Sequence, residues 1–169
     1  MVQYNRWAKE IYTKYDYPLE KKPLEELIDV SNIHGWLQDR ISKADGRQAA
    51  WVTKIIDVNP EYIEDLKEVF KKEGLKMAEE YGKDNKAHTP NEMFNLLNNF
   101  ILEGMPCDRV NEEVENTETN YVWRSRICLH TPYWQEENGE VDNFYTLRNQ
   151  WVKAFVEKLN NGFKYDSFI

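Results

Sequence analysis

A chain of 169 residues can bury one sizeable core and is read as a single domain, 1–169. Its 41% hydrophobic and 14% aromatic residues exclude a disordered tail. Thirty acidic against 22 basic residues leave a net charge of −8, which argues against duplex nucleic acid or an anionic membrane as a partner.

From the N-terminus, Asn5 to Tyr15 is predicted as a helix with Trp7, Ile11 and Tyr15 on one side. This stretch is charged throughout and has no signal-peptide core. No segment reaches the roughly 18 apolar residues of a membrane span. The expected setting is therefore the cytoplasm, with both cysteines reduced. Tyr17-Pro18 and Lys22-Pro23 break the helix. Leu24–Val30 and Ile33–Ile41 are predicted as short helical pieces, and Gly46 is expected to punctuate before a further helix, Arg47 to Asp57.

Asn59-Pro60 opens a helix that runs to about Tyr81, with Gly74 weakening its middle and Gly82 stopping it. Thr89-Pro90-Asn91-Glu92 is a capping box. The helix it starts, apolar on most sides and ended by Gly104, is predicted to be the buried central one. Two extended segments follow, Asp108–Glu115 and Asn120–His130, around the turn-like Asn116-Thr117-Glu118-Thr119. Val141 to Leu159 is the clearest amphipathic helix, and Phe163 to Ile169 is a short strand or a packed tail. The expected class is α+β, with a helical layer packed on a small antiparallel sheet built around a central hairpin.

Alternation on the second strand places Tyr121, Trp123, Ser125, Ile127 and Leu129 towards the helices. Val122, Arg124, Arg126, Cys128 and His130 then share the other face. With an even-numbered turn, Cys107, Arg109, Asn111 and Glu113 join that face, and Glu113 sits opposite Arg124. A thiol beside cations becomes a nucleophile, an imidazole can move its proton, and arginines hold carboxylates through paired hydrogen bonds. Cys128 and His130 are thus the candidate catalytic residues. Arg124, Arg126 and Glu113 are the candidate substrate-binding residues, with Tyr133 and Trp134 of the following Thr131-Pro132-Tyr133-Trp134 as pocket wall. The plainer reading keeps Cys128 as a small core residue, the arginines as partners for Glu113 and Glu115, and the rings as packing.

His34 and His88 read as ordinary interior or surface histidines, and Glu103 as a solvated residue at a helix end. Neither CxxC nor a zinc-type histidine spacing occurs, so no metal site is expected and no cofactor is indicated.

Two segments resemble the L-2-amino-thiazoline-4-carboxylic acid hydrolase-like family: Arg109-Val110-Asn111-Glu112-Glu113-Val114 and Tyr121-Val122-Trp123-Arg124-Ser125-Arg126-Ile127-Cys128. In that family the second strand ends in Cys-Pro, whereas here Leu129, His130 and Thr131 separate Cys128 from Pro132. The resemblance implies an α+β fold and ring-opening hydrolysis at a C–N or C–S bond of a small anionic heterocycle, with Cys128 the matching residue. The competing expectation is a non-catalytic ligand-binding module or partner subunit, its six tryptophans and ten tyrosines lining a pocket or a homodimer interface.

Overall fold

The computed structural model describes residues 2–168. Helix α1 (Val2–Tyr15) buries Ile11 and Tyr15 against Ala50. After the short α2 (Leu24–Leu27) comes α3, a single 26-residue helix from Ile33 to Val58. Asn32 caps it by accepting the Gly35 N–H at 3.1 Å. The expected break at Gly46 is absent, because this glycine serves a crossing rather than a turn. A Cβ there would lie 2.3 Å from the Tyr15 ring, so only glycine lets α1 close onto α3. Burial of that ring outweighs the roughly 1 kcal/mol that glycine costs a helix interior.

Helix α4 (Tyr62–Tyr81) repeats the device. A Cβ on Gly74 would meet the Trp151 carbonyl oxygen at 2.4 Å, the closest approach of α4 to the helix that crosses it. Glycine to alanine usually stabilises a helix. Here Gly74→Ala is expected to destabilise the protein by about 1–3 kcal/mol, the usual overpacking range. An unchanged or raised midpoint in urea unfolding would show that the two helices can part without loss.

Helix α5 (Pro90–Leu97) starts as predicted, with the Thr89 hydroxyl accepting the Glu92 N–H at 3.2 Å. The Glu92 carboxylate takes the N–H of His88 at 2.7 Å, one residue earlier than a capping box requires. The helix ends at Leu97 and buries only Met93 and Leu97, so it is not the central one. With just over two turns and asparagines at 91 and 95, it has little face to bury. A 3-10 turn at Pro106–Asp108 then leads into a hairpin of β1 (Asn111–Asn116) and β2 (Tyr121–Ser125).

The strands are antiparallel, pairing Asn111 with Ser125, Glu112 with Arg124 and Asn116 with Tyr121, with a bulge between Glu113 and Glu115. Tyr121 and Trp123 do face the helices. Both stack on Phe94, with ring centroids 4.6 and 4.7 Å apart. Helix α6 (Thr131–Glu136) follows a short loop, and α7 (Val141–Leu159) closes the fold.

The central position belongs to α7, which buries Phe144, Leu147, Val152, Ala154, Phe155 and Val156. Its C-terminal half packs with Ala78, Met93 and Leu97, and its N-terminal half with Ala49, Val52 and Trp134. The fold is thus α+β, a helical layer on one small hairpin, as expected. Residues 163–168 run as a tail that packs through Phe163 and Tyr165, the Tyr165 hydroxyl donating to Asn149 Oδ1 at 2.9 Å, while Phe168 is exposed. Ile169 lies outside the described residues. Among the described residues no helix is long and apolar enough to cross a membrane.

Candidate functional site

Strand β2 stops at Ser125, five residues short of its expected end at His130. The last rung is the Arg126 N–H donating to the Val110 carbonyl at 2.7 Å. The reason lies in Pro132, whose fixed φ suits the first turn of a helix and not a central strand. His130, at φ −84° and ψ −28°, is already helical and forms the N-cap of α6. Cys128 and His130 therefore leave the ribbon face that carries Arg124 and Arg126. Cys107 and Arg109 leave it too, one in the 3-10 turn and the other left-handed at φ 48°.

The loop nevertheless brings Cys128 back to those arginines. A cleft of about 780 Å3 runs along β2, and Arg124, Arg126, Cys128, Tyr145, Arg148 and Lys164 all line it. Four of its side chains are basic and Asp166 is its one acid. In a chain of net charge −8 that is a local reversal of sign, and it favours anions. Arg124 is ion-paired with Glu112, while Arg126 approaches the same carboxylate only through Nε, at 3.5 Å.

At Cys128 the sulfur is held by donors. The Thr131 hydroxyl donates to Sγ at 3.1 Å. Partial burial raises the thiol pKa, but hydrogen bonds from Thr131 and Tyr145 and from the backbone at Thr131 and His130 outweigh it. The pKa ends below the ordinary thiol value. Tyr145 moves the opposite way, raised by burial and by its bond to Cys128, so its hydroxyl keeps its proton. Cys128 is solvent-exposed, and exposure together with a lowered pKa is what distinguishes a reactive thiol from a structural one.

Beneath the cleft lies a sealed polar cluster. His130 is 2% exposed. Its Nδ1 is 3.3 Å from Asp45 Oδ1, and its Nε2 is 4.0 Å from Glu103 Oε2. Neither ring nitrogen makes an aligned hydrogen bond among the described residues. The ring lies against Phe144, centroids 3.9 Å apart. Glu103 in turn is ion-paired with Arg148, whose pKa burial pushes down to about 10. Since the His130 ring is sealed and neither of its nitrogens hydrogen-bonds the sulfur, it is not placed as the base for Cys128. It is sealed between two carboxylates, outside the cleft's lining.

The remaining predicted residues separate. Glu113 stands opposite Trp123 rather than Arg124, and its carboxylate accepts from Asn116 Nδ2 at 3.1 Å. The Val114 bulge shifts the register, and Glu112 takes the arginines instead. Tyr133 is half-buried, its hydroxyl 2.9 Å from that of Ser42, away from the cleft's lining. Trp134 is sealed at 1% exposure among Ala49, Val52, Phe144 and Leu147, so it walls the core and not the pocket. Glu103 is half-buried and ion-paired with Arg148, not solvated.

Asp45, Tyr145 and Arg148 escaped sequence reasoning, although a signal was present. Asp45 shares the helical stripe of Ala49 and Val52, and Arg148 that of Phe144 and Val152. A charge on a core stripe demands a buried neighbour: Arg148 meets Glu103, and Asp45 lies 3.3 Å from His130 Nδ1. Among the described residues no three His, Cys, Asp or Glu side chains gather as a ligand set for a metal.

Fold and site together define an α+β protein with a basic cleft floored by a hydrogen-bonded cysteine. Compared with family models, curated proteins and solved structures, the chain matches none.

Proposed function

We propose that this protein is a cysteine-dependent hydrolase opening a C–N or C–S bond in a small carboxylate-bearing heterocycle or amide. One observation carries the reading: the exposed Cys128 thiol, with a pKa below the ordinary value, faces a cleft lined by Arg124, Arg126, Arg148 and Lys164. The resemblance of the hairpin to the L-2-amino-thiazoline-4-carboxylic acid hydrolase-like family supports it, and Cys128 is the residue that matches.

In this scheme the arginines hold the substrate carboxylate and Cys128 Sγ adds to the electrophilic carbon. A new C–S bond forms, and the old bond to ring nitrogen or sulfur breaks with its electron pair going to the departing heteroatom. The thiol proton reaches that heteroatom through the Tyr145 hydroxyl. Water then attacks the carbon bonded to Cys128, a thioester from an amide or a thioimidate from a thiazoline ring. The C–S bond to Cys128 breaks with a hydrogen of the water going to sulfur, which releases the opened product and restores the thiol.

Alkylation tests the chemistry. In a Cys107→Ser background, Cys128 is expected to react with iodoacetamide along a pH curve whose midpoint lies below that of the same chain in denaturant. The sign follows from thiolate being the reactive form, so a lowered pKa moves the curve to lower pH. Cys128→Ser is expected to abolish ring opening of an aminothiazoline carboxylate and leave the circular dichroism unchanged. A midpoint at or above the denatured value, or full activity in Cys128→Ser, would falsify the reading.

A second reading, a binding module that holds a small anion without cleaving it, is favoured by the sealed His130, which leaves no imidazole bonded to the sulfur. It predicts ligand binding that survives Cys128→Ser, with no turnover in either protein. A cytoplasmic setting and a homodimer fit both readings, and native mass measurement checks the second of these.

A further inference from the structure

The basic cleft does not end at β2. A second hollow of about 420 Å3 adjoins it, and Asn120, Tyr121, Trp123, Lys164, Tyr165 and Asp166 line both. The second hollow is walled by rings: Phe94 from α5, Tyr121 and Trp123 from β2, and Phe163 and Tyr165 from the tail. Four of the rings neighbour one another, with centroids 4.6 Å apart for Phe94–Tyr121, 4.7 Å for Phe94–Trp123 and 6.0 Å for Trp123–Tyr165. All five remain partly exposed. The same chain seals Trp134 and Phe155 completely elsewhere, so it does not lack the means to bury a ring. Leaving five together at the rim of a hollow forgoes hydrophobic stabilisation that a flat apolar guest would restore.

Charge fixes which end of the guest lies where. Lys164, shared by both hollows, has no carboxylate within salt-bridge distance among the described residues, and Arg126 meets Glu112 only through Nε. These two cations are the ones least committed to internal partners; Arg126 lines only the Cys128 hollow and Lys164 lines both.

We infer that the two hollows form one composite site for an amphipathic carboxylate, its acid group at Arg126 and Lys164 and a flat apolar arm among Phe94, Trp123 and Phe163. This rests on the reading of the cleft as an anion site and not on the thiol chemistry. It narrows the substrate class from any small carboxylate to one bearing an aromatic or acyl extension.

The test is equilibrium binding to the Cys128→Ser protein, followed by tryptophan fluorescence, with acetate as head alone, benzyl alcohol as arm alone and 4-phenylbutyrate as both. The last is expected to bind at least about tenfold more tightly than either half, the increment that burying and stacking one ring supplies. Phe94→Leu and, separately, Phe163→Ala, at residues that line the second hollow alone, are expected to remove most of that gain without changing the weak affinity for acetate. Lys164→Gln is expected to weaken both acids. If acetate binds and the ring adds nothing, or if neither aromatic variant alters 4-phenylbutyrate binding, the composite site is wrong while the anion site stands. If no carboxylate binds at all, both readings fall together.

Discussion

Replacing Arg148 with methionine is expected to cost about 3–5 kcal/mol of stability, the range for removing one partner of a buried ion pair. The guanidinium is ion-paired with Glu103, and each side chain is only 15% exposed. It also lies 5.8 Å over the Phe144 ring. Methionine fills much of the same volume, so packing is largely kept and the charge is what goes. Glu103 would then share its enclosed space with Asp45 across His130, two carboxylates with no guanidinium. Adding Glu103→Gln to Arg148→Met is expected to return a good part of the loss, because the stranded charge disappears with its partner. Urea unfolding of the wild type, both single variants and the double variant measures the coupling. A single variant within about 1 kcal/mol of wild type, with no rescue in the double, would show that the pair contributes nothing.

Trp134→Ala is expected to cost a similar 3–5 kcal/mol, as large aromatic deletions in a core do. Its ring fills the junction of α3, α6 and α7, and a Cβ on Gly139 would already approach it to 3.1 Å. Since α6 is one and a half turns long, this ring is its main attachment to the body. The effect should therefore reach the site. The α6 start supplies the Thr131 hydroxyl and the backbone hydrogen bonds that hold the Cys128 sulfur. Loosening α6 is expected to move the thiol's alkylation midpoint back towards the ordinary value. Trp134→Phe, which keeps a ring in place, should shift both properties less. A destabilised Trp134→Ala with an unmoved midpoint would separate the anchor from the thiol.

What could be read in advance follows from which signals are local. The Thr89 cap, the α7 stripe and the alternation of Tyr121 with Trp123 each depend on residues within a turn or a strand of one another, and each appears as expected. The break expected at Gly46 is absent because its role is set by Tyr15, as the packing role of Gly74 is set by Trp151, each far away in sequence. The end of β2 misled because alternation continued through Cys128 and His130 while Pro132 favoured a helix start. Glu113 failed by one residue, since a single bulge at Val114 transfers the pairing with Arg124 to Glu112. The buried charges were legible in principle, as Asp45 and Arg148 both interrupt otherwise apolar stripes. Which charge they would meet was not, because Glu103 reaches Arg148 from a loop.

The hairpin stands alone as a two-stranded ribbon, and that leaves backbone amides and carbonyls unused along its outer rims. Such rims invite a second copy to zip on. Here β1 brings Glu112, Glu113 and Glu115 within four consecutive positions, so any like-with-like pairing of two β1 strands would press carboxylate against carboxylate. That repulsion works against such pairing, and screening it with salt or acid is where clumping should begin.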